Sequence, residues 1–286
     1  MILIIDSGST KSDWIAVDNN GKKLLEKIRT KGLNPAILAE KKLAKRILKS
    51  KELRNNKEKV THVFFYGAGC GTENAKELLE TVLKDIFINA HIEVNEDTLA
   101  AVYSTINHSK EAAVVCILGT GSNCSYYDGE QLHQRVISLG YSLMDDASGN
   151  YYGKQLIRDY YFNHMPENVR IAFGSKFNMD ADFIKYNLYK QPSPNAYLAN
   201  FAEFMFLHKD SEYTINLIKK GIRLFTTNMI MQFKEELKTV PVHFAGSIAY
   251  FAQQEIREVA DEMGFKVGNF ERRPIDGLIP FHTKDL

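Results

Sequence analysis

The chain has 286 residues, 44% of them hydrophobic, which is enough for two domains of ordinary size, each with its own core. Charged residues make up 25% and the net charge is +1, so no overall field recruits nucleic acid or an anionic membrane. Apolar runs reach strand length only, well short of the roughly 20 residues of a membrane span, and three cysteines without a CxxC spacing exclude a disulfide framework or a tetrathiolate zinc site.

Residues 1–28 read as strand, turn, strand, polar turn at Asp18–Gly21, strand: an antiparallel meander. Asp6 follows the first apolar run directly, leaving no signal-peptide pattern, so a cytoplasmic protein is expected. Asn34-Pro35 opens a basic amphipathic helix to about Leu53, with Asn34 as its N-cap and Pro35 as its first residue. Thr61–Tyr66 is a buried strand that runs into Gly67-Ala68-Gly69-Cys70-Gly71, and Thr72 caps the helix after it. His91–Val94 is another strand, and Asn95-Glu96-Asp97 leads into a helix from Thr98. Each strand ends in a polar or glycine-rich loop, at the sheet edge where α/β proteins bind ligands.

A second glycine hairpin, Val114–Asp128, turns at Gly119-Thr120-Gly121-Ser122. Such a turn leaves backbone N–H groups free for an anion and lets a ligand approach where a Cβ would block it. Ile2–Thr10 overlays Val115–Asn123, which implies an internal repeat with Asp6 standing where the second copy has Gly119. One loop then suits a metal ion, the other a phosphate or substrate. A strand at Val136–Leu139, the loop Gly140–Asn150, and a helix from about Tyr152 to Phe162 follow. The span 166–209 is helical, with breaks at Gly174 and Pro192-Ser193-Pro194. Ser211–Leu237 is one long helix, Val240–Phe244 a strand, and Ala245-Gly246-Ser247 opens a helix stopped by Gly264, before a short last strand at Lys266–Gly268.

The Asp6–Lys11, Gly119–Ser122 and Ala245–Ser247 loops occur in the order used by the actin-like superfamily of sugar kinases and ATPases. With GTGSNC at Gly119–Cys124, LGYxLxDxxSG at Leu139–Gly149, GLNP at Gly32–Pro35 and PIxGL at Pro274–Leu278, the chain resembles the BadF/BadG/BcrA/BcrD ATPase family and, within it, N-acetylglucosamine kinases. The resemblance covers nearly the whole chain. It implies an α/β fold of two ribonuclease-H-like domains around a nucleotide cleft, divided here as 1–107 and 108–286, the second with a helical insertion. It further implies ATP-dependent phosphorylation of an amino sugar with Mg²⁺.

Carried over, Asp6 holds Mg²⁺ through water. Ser7, Gly8, Ser9, Thr10 and Lys11, with Gly119, Thr120, Gly121 and Ser122, line the phosphates, and Gly246 and Ser247 sit under the adenosine. The sugar falls to Asn34, Asp97, Asn123, Gly140, Tyr141 and Asp145, with Asp97 the base that takes the hydroxyl proton. Plainer readings stand beside these: Lys11 as a solvated hairpin lysine, Asn123 as a hairpin residue, Asp97 as a cap of the helix at Thr98. Adjacent Asp145 and Asp146 repel unless something engages one of them. Relatives usually read GDEGSG where this chain has Met144–Gly149, so positive φ at Met144 or Ala147 would cost roughly 1 kcal/mol each. Either the sugar differs or turnover is weakened.

Two other functions remain open from sequence. A dehydratase activator of the same family would hold an iron–sulfur cluster on loop cysteines. A regulatory protein would bind sugar without turnover. The expected partner is a small-molecule sugar, with no nucleic acid and no membrane, and a homodimer is the candidate assembly.

Overall fold

The computed structural model describes residues 1–8, 11–106 and 111–284. It divides into two compact units, Met1–Ser109 with Arg273–Leu286, and Lys110–Arg272.

In the first unit, β1 (Ile2–Ser7), β2 (Lys11–Val17), β3 (Ile28–Lys31), β4 (His62–Gly67) and β5 (His91–Asn95) form one sheet in the order β3-β2-β1-β4-β5. The helices between are α1 (Glu40–Leu48), α2 (Lys51–Asn56), α3 (Glu73–Ile86) and α4 (Asp97–Thr105). The central strand is apolar from Ile2 to Ile5 because both of its faces are covered there. Leu3 and Ile5, with Trp14 and Phe65, pack against Leu43 of α1 and Leu79 and Leu83 of α3. Ile2 and Ile4, with Ile15, Val17 and Tyr66, pack on the other face against Ala100 of α4. Each such side chain contributes roughly 1.5–3 kcal/mol by leaving water.

The second unit repeats the plan. Its strands β6 (Ala113–Leu118), β7 (Ser122–Tyr127), β8 (Leu132–His133), β9 (Val242–Ala245) and β10 (Val267–Glu271) lie in the order β10-β9-β6-β7-β8. Read from the meander edge, 8-7-6-9-10 matches 3-2-1-4-5, so the repeat is a repeat of topology. Its helices are α5 (Gly149–Tyr161), α6 (Glu167–Lys176), α7 (Ala181–Tyr189), α8 (Pro194–Ala199), α9 (Glu203–Leu207), α10 (Glu212–Asn228), α11 (Ser247–Phe251) and α12 (Gln253–Met263). Val114, Cys116 and Leu118 meet Tyr152 and Leu156 of α5, Ile222 and Phe225 of α10, and Ile256 of α12.

Several boundaries differ from the sequence reading. Both expected hairpins form, β1 with β2 paired through Ser7 and Ser12, and β6 with β7 paired through Leu118 and Ser122. Neither Gly119 nor Gly121 takes positive φ. The helix expected at Asn34-Pro35 starts at Glu40: the Ala36 N–H donates to Asn34 Oδ1 (2.9 Å) and the Leu38 N–H to Asn34 O (3.1 Å), which closes a separate turn. Ala39 is extended and restarts the chain, and Ser50 caps α2, which breaks the expected single helix.

No strand forms at 136–139, where Ile137 and Leu139 are exposed. Helix α6 runs through Gly174, and α10 ends at Asn228, after which Ile230 and Phe233 are buried in a 3₁₀ turn. A last helix, α13 (Pro274–Thr283), forms where the sequence reading places the irregular end of the second half. Ile275 and Leu278 bury against the Ile2 and Ile4 face, which places it in the first unit.

Candidate functional site

In the first unit the end of β1 gathers three loops. The Ser7 hydroxyl is fully buried, shares a 2.6 Å hydrogen bond with Ser12 Oγ and accepts from the Leu33 N–H (3.0 Å). Ser7 therefore ties the 32–36 loop to the hairpin, and its side chain faces protein rather than a ligand. The Ala68 N–H donates to Ser7 O (2.9 Å), bringing in the loop after β4. Gly69 there has φ +84°, and a Cβ on it would strike the Asn34 amide. Asn34 and Gly69 thus form a matched pair that spacing alone did not reveal.

Asp6 is the penultimate residue of β1, and register sets it directly opposite Asp13. Like charges so placed repel. Asp13 is relieved by Arg29 Nε (2.7 Å) and Lys27 Nζ (3.0 Å), and against partial burial these hydrogen bonds hold its carboxyl below the usual range. Asp6 has no ion pair of its own among the described residues. Burial, then the charges of Asp97 and Asp13, push its pKa up to about 6, only partly offset by Lys11 and Lys27. Lys11 is exposed, and its charge acts on Asp6. Ser9 and Thr10 lie outside the described residues; Gly8 is exposed, with its N–H donated to Lys11 O (3.0 Å).

Asp97 is the first residue of α4, one step past the capping position held by Glu96, so it does not occupy the cap position expected on the plainer reading. Dense protein around it raises its pKa, and the Thr98 N–H pulls partly the other way. The carboxylate remains solvent-accessible. It stands in the positive field of the helix start. A carboxyl that is accessible, raised and next to a second raised carboxyl is the arrangement seen where proton transfer or a divalent cation is used.

The second unit offers backbone and one carboxylate. Gly149 and Asn150 N–H groups donate to Gly119 O (2.7 Å) and Thr120 O (3.1 Å), and Asn150 Nδ2 donates to Thr120 O (2.6 Å) and Asp145 Oδ2 (2.8 Å). This fully buried asparagine staples the 140s loop to the glycine turn. Both partners are acceptors, so the amide orientation is fixed by chemistry. A Cβ on Gly121 would sit 2.9 Å from Asp145 Oδ2, whereas one on Gly119 meets nothing within 4 Å. Gly121 makes room for the carboxylate, and Gly119 leaves open space for a ligand.

Asp145 and Ala147 both take left-handed backbone, φ 69° and 56°, while Met144 does not. Asp146 accepts from Asn228 Nδ2 (2.8 Å) and Asp145 from Asn150 Nδ2, so each carboxylate of the pair has its own amide donor. Thr120 is exposed, Ser122 and Asn123 are half-buried, and Asn123 Oδ1 accepts from Ser125 Oγ (3.3 Å). Gly140, at φ 82°, accepts through its carbonyl from the Met144 N–H (2.9 Å), and Tyr141 beside it is half-buried. Gly246, at φ 108°, packs so closely on the Leu118 carbonyl that no side chain fits, and Ser247 opens α11 in an exposed position.

Cys70, Cys116 and Cys124 are buried, and burial with the charges of Asp97 and Glu96 pushes the Cys70 thiol up to about 12. Neutral buried thiols are poor cluster ligands, and no group of three or more metal-ligating side chains occurs among the described residues.

A solved structure of a candidate N-acetylglucosamine kinase from Porphyromonas gingivalis matches with a TM-score of 0.89 and 31% identity, over 100% of this chain and 99% of that one. The chain belongs to the sugar-kinase family of that protein. A candidate N-acetylglucosamine kinase from Chromobacterium violaceum matches with a TM-score of 0.66 and 13% identity, over 98% of each chain. A ROK family glucokinase from Streptomyces griseus, solved with glucose and AMPPNP, matches with a TM-score of 0.59 and 14% identity, also over 98% of each. These two share the fold, the actin-like ATPase pair of α/β units. No family model and no curated protein matches the chain. No helix among the described residues is long and apolar enough to cross a membrane.

Two outcomes follow for this kinase-family chain. Asn150→Ala should lower stability by about 1–3 kcal/mol, the cost of unmaking buried hydrogen bonds, and Asn150→Asp should cost more at neutral pH by setting a carboxylate against Asp145. Urea midpoints equal to wild type for both would remove the staple. The Asp6 pKa is raised on folding, so the folded state holds a proton that the unfolded state releases near 3.8, and stability from this group falls as pH rises toward about 6. Asp6→Asn should therefore stabilise the unliganded protein by roughly 1–3 kcal/mol at pH 7.5 and much less at pH 4. A variant no more stable at either pH would mean that Asp6 is not under this strain.

Proposed function

We propose that the protein phosphorylates an amino sugar, most specifically N-acetylglucosamine, with ATP by direct in-line transfer. The observation that carries this reading is the pair of raised carboxyls, Asp6 and Asp97, at the sheet edge of the first unit, in a chain 31% identical to a candidate N-acetylglucosamine kinase. Asp97 is proposed as the base: it accepts the proton of the attacking sugar hydroxyl as that oxygen bonds to the γ-phosphorus and the bond to the ADP oxygen breaks.

Asp6 fits a hydrated Mg²⁺, because the repulsion among Asp6, Asp13 and Asp97 is what a divalent cation relieves. When bound, the ion neutralises phosphate charge. Ser7 to Lys11 contribute backbone and the Lys11 charge to the phosphates. Gly119, Thr120, Gly121 and Ser122 contribute the second turn, and Gly246 and Ser247 the adenosine side. Asn34, Asn123, Gly140, Tyr141 and Asp145 are proposed to orient the sugar, with Asp145 held at a fixed angle by Asn150.

Left-handed backbone at two non-glycine residues of the sugar loop, Asp145 and Ala147, favours a second reading, a sugar-binding protein without turnover. An ADP-release screen over amino sugars and hexoses with MgATP separates the two: release with N-acetylglucosamine supports the kinase, and tight sugar binding without release supports the regulator. In the kinase, Asp97→Asn should keep the melting temperature and nucleotide affinity while kcat falls at least about a hundredfold. Retained kcat with lowered stability would place the base elsewhere, with Asp145 the next candidate.

A further inference from the structure

A cavity lined by residues from 26–31 and 41–52 includes none of the glycine-turn residues. It is a groove of about 1170 Å³ between β3 and α1. Residues 22–59 carry fourteen lysines and arginines against four carboxylates in a chain of net charge +1, so positive charge is concentrated here and the remainder is net negative. Six exposed lysines line the groove, Lys31, Lys41, Lys42, Lys45, Lys49 and Lys51, and none forms an ion pair with a described residue. The other cations there are already engaged, Lys27 and Arg29 by Asp13, Arg46 by the Gly32 carbonyl.

A solvated helix face normally alternates signs four residues apart. On α1 the pairs Lys41–Lys45, Lys42–Arg46 and Lys45–Lys49 are all like-charged, and the helix holds a single carboxylate, Glu40. Such pairs destabilise a helix, so the sequence keeps a repulsion that a bound anion would cancel. Protection of the β3 sheet edge by Lys31 accounts for one of the six lysines and leaves the row on α1 unexplained.

The lining also defines the ligand. It contains no aromatic side chain and, apart from the buried Ile28, no hydrophobic one, so neither a base nor an apolar ring finds a platform. Lysine ammonium groups act as point charges and suit phosphate oxygens without planar readout. Lys41, Lys45 and Lys49 climb about 6 Å per step and span about 12 Å in all, a length that serves a few linked phosphates.

We propose that the groove between β3 and α1 is a binding site for a compact oligophosphate anion, distinct from the nucleotide loops. The site does not depend on the kinase reading. Asp13 links the two regions: it takes its counter-ions from the groove's Lys27 and Arg29 and stands opposite Asp6.

Inorganic tripolyphosphate titrated calorimetrically into the full chain at low salt tests this. Wild type should bind, with affinity falling as salt rises. The triple variant Lys41→Glu, Lys45→Glu, Lys49→Glu should lose at least tenfold in that affinity while keeping its melting temperature and its affinity for Mg-AMPPNP. Absent binding in wild type, or equal binding in the variant, would overturn the proposal. A parallel loss of Mg-AMPPNP affinity would merge the groove with the nucleotide site and overturn its separateness. A single-stranded oligonucleotide that binds a hundredfold more tightly than tripolyphosphate through the same lysines would overturn the compact ligand.

Discussion

Burial of the Asp6 carboxyl, with repulsion by Asp97 and Asp13 added to it, is the constraint on which the site in the first unit depends. Strand register forces Asp6 against Asp13, and the β1 backbone cannot turn it away without exposing Ile5 and Ile4, which are buried on opposite faces. The unit answers this only in part. Arg29 and Lys27 quiet Asp13, while Asp6 stays under strain, with its carboxyl raised to about 6. Strain retained at one strand end, when a neutral residue would remove it, is the mark of a site that expects a cation or a proton.

The second unit uses the same sheet order without that strain. Its hairpin, Ala113–Tyr127, carries no carboxylate, so charge enters through Asp145, held from the side by Asn150 and given room by Gly121. One topology thus carries two chemistries: a carboxylate cluster in one copy, and in the other a rigid turn with open space at Gly119. Because Gly149 and Asn150 bond the turn through backbone and side chain, the geometry of the 140s loop and that of the turn cannot change independently.

Much of this was legible in the sequence because local chemistry decided it. The two hairpins follow from β-branched runs meeting glycine turns, and Thr72 and Gly264 mark helix ends by a side-chain cap and left-handed backbone. The family resemblance named Asp6, Asp97 and Asp145 as candidates. What stayed hidden depended on distant partners. The Asn34 turn forms in place of a helix start, and its amide fits against Gly69, thirty-five positions along the chain. Ile137 and Leu139 resemble a strand but have no neighbouring strand to pair with. Pro274–Thr283 joins the first unit because Ile2 and Ile4 need cover. Asn150 directly follows the recognised SG pair and was overlooked because its role lies in what it bridges.

Isotope-edited carboxyl NMR, with the Asp6 resonance assigned by its loss in Asp6→Asn, tests the central claim most directly. The account predicts a midpoint near 6 in the free protein, and a fall of at least about one unit with Mg-AMPPNP, since a cation favours the ionised carboxylate. A midpoint near 4 in the free protein, or one that Mg-AMPPNP leaves unchanged, would contradict it.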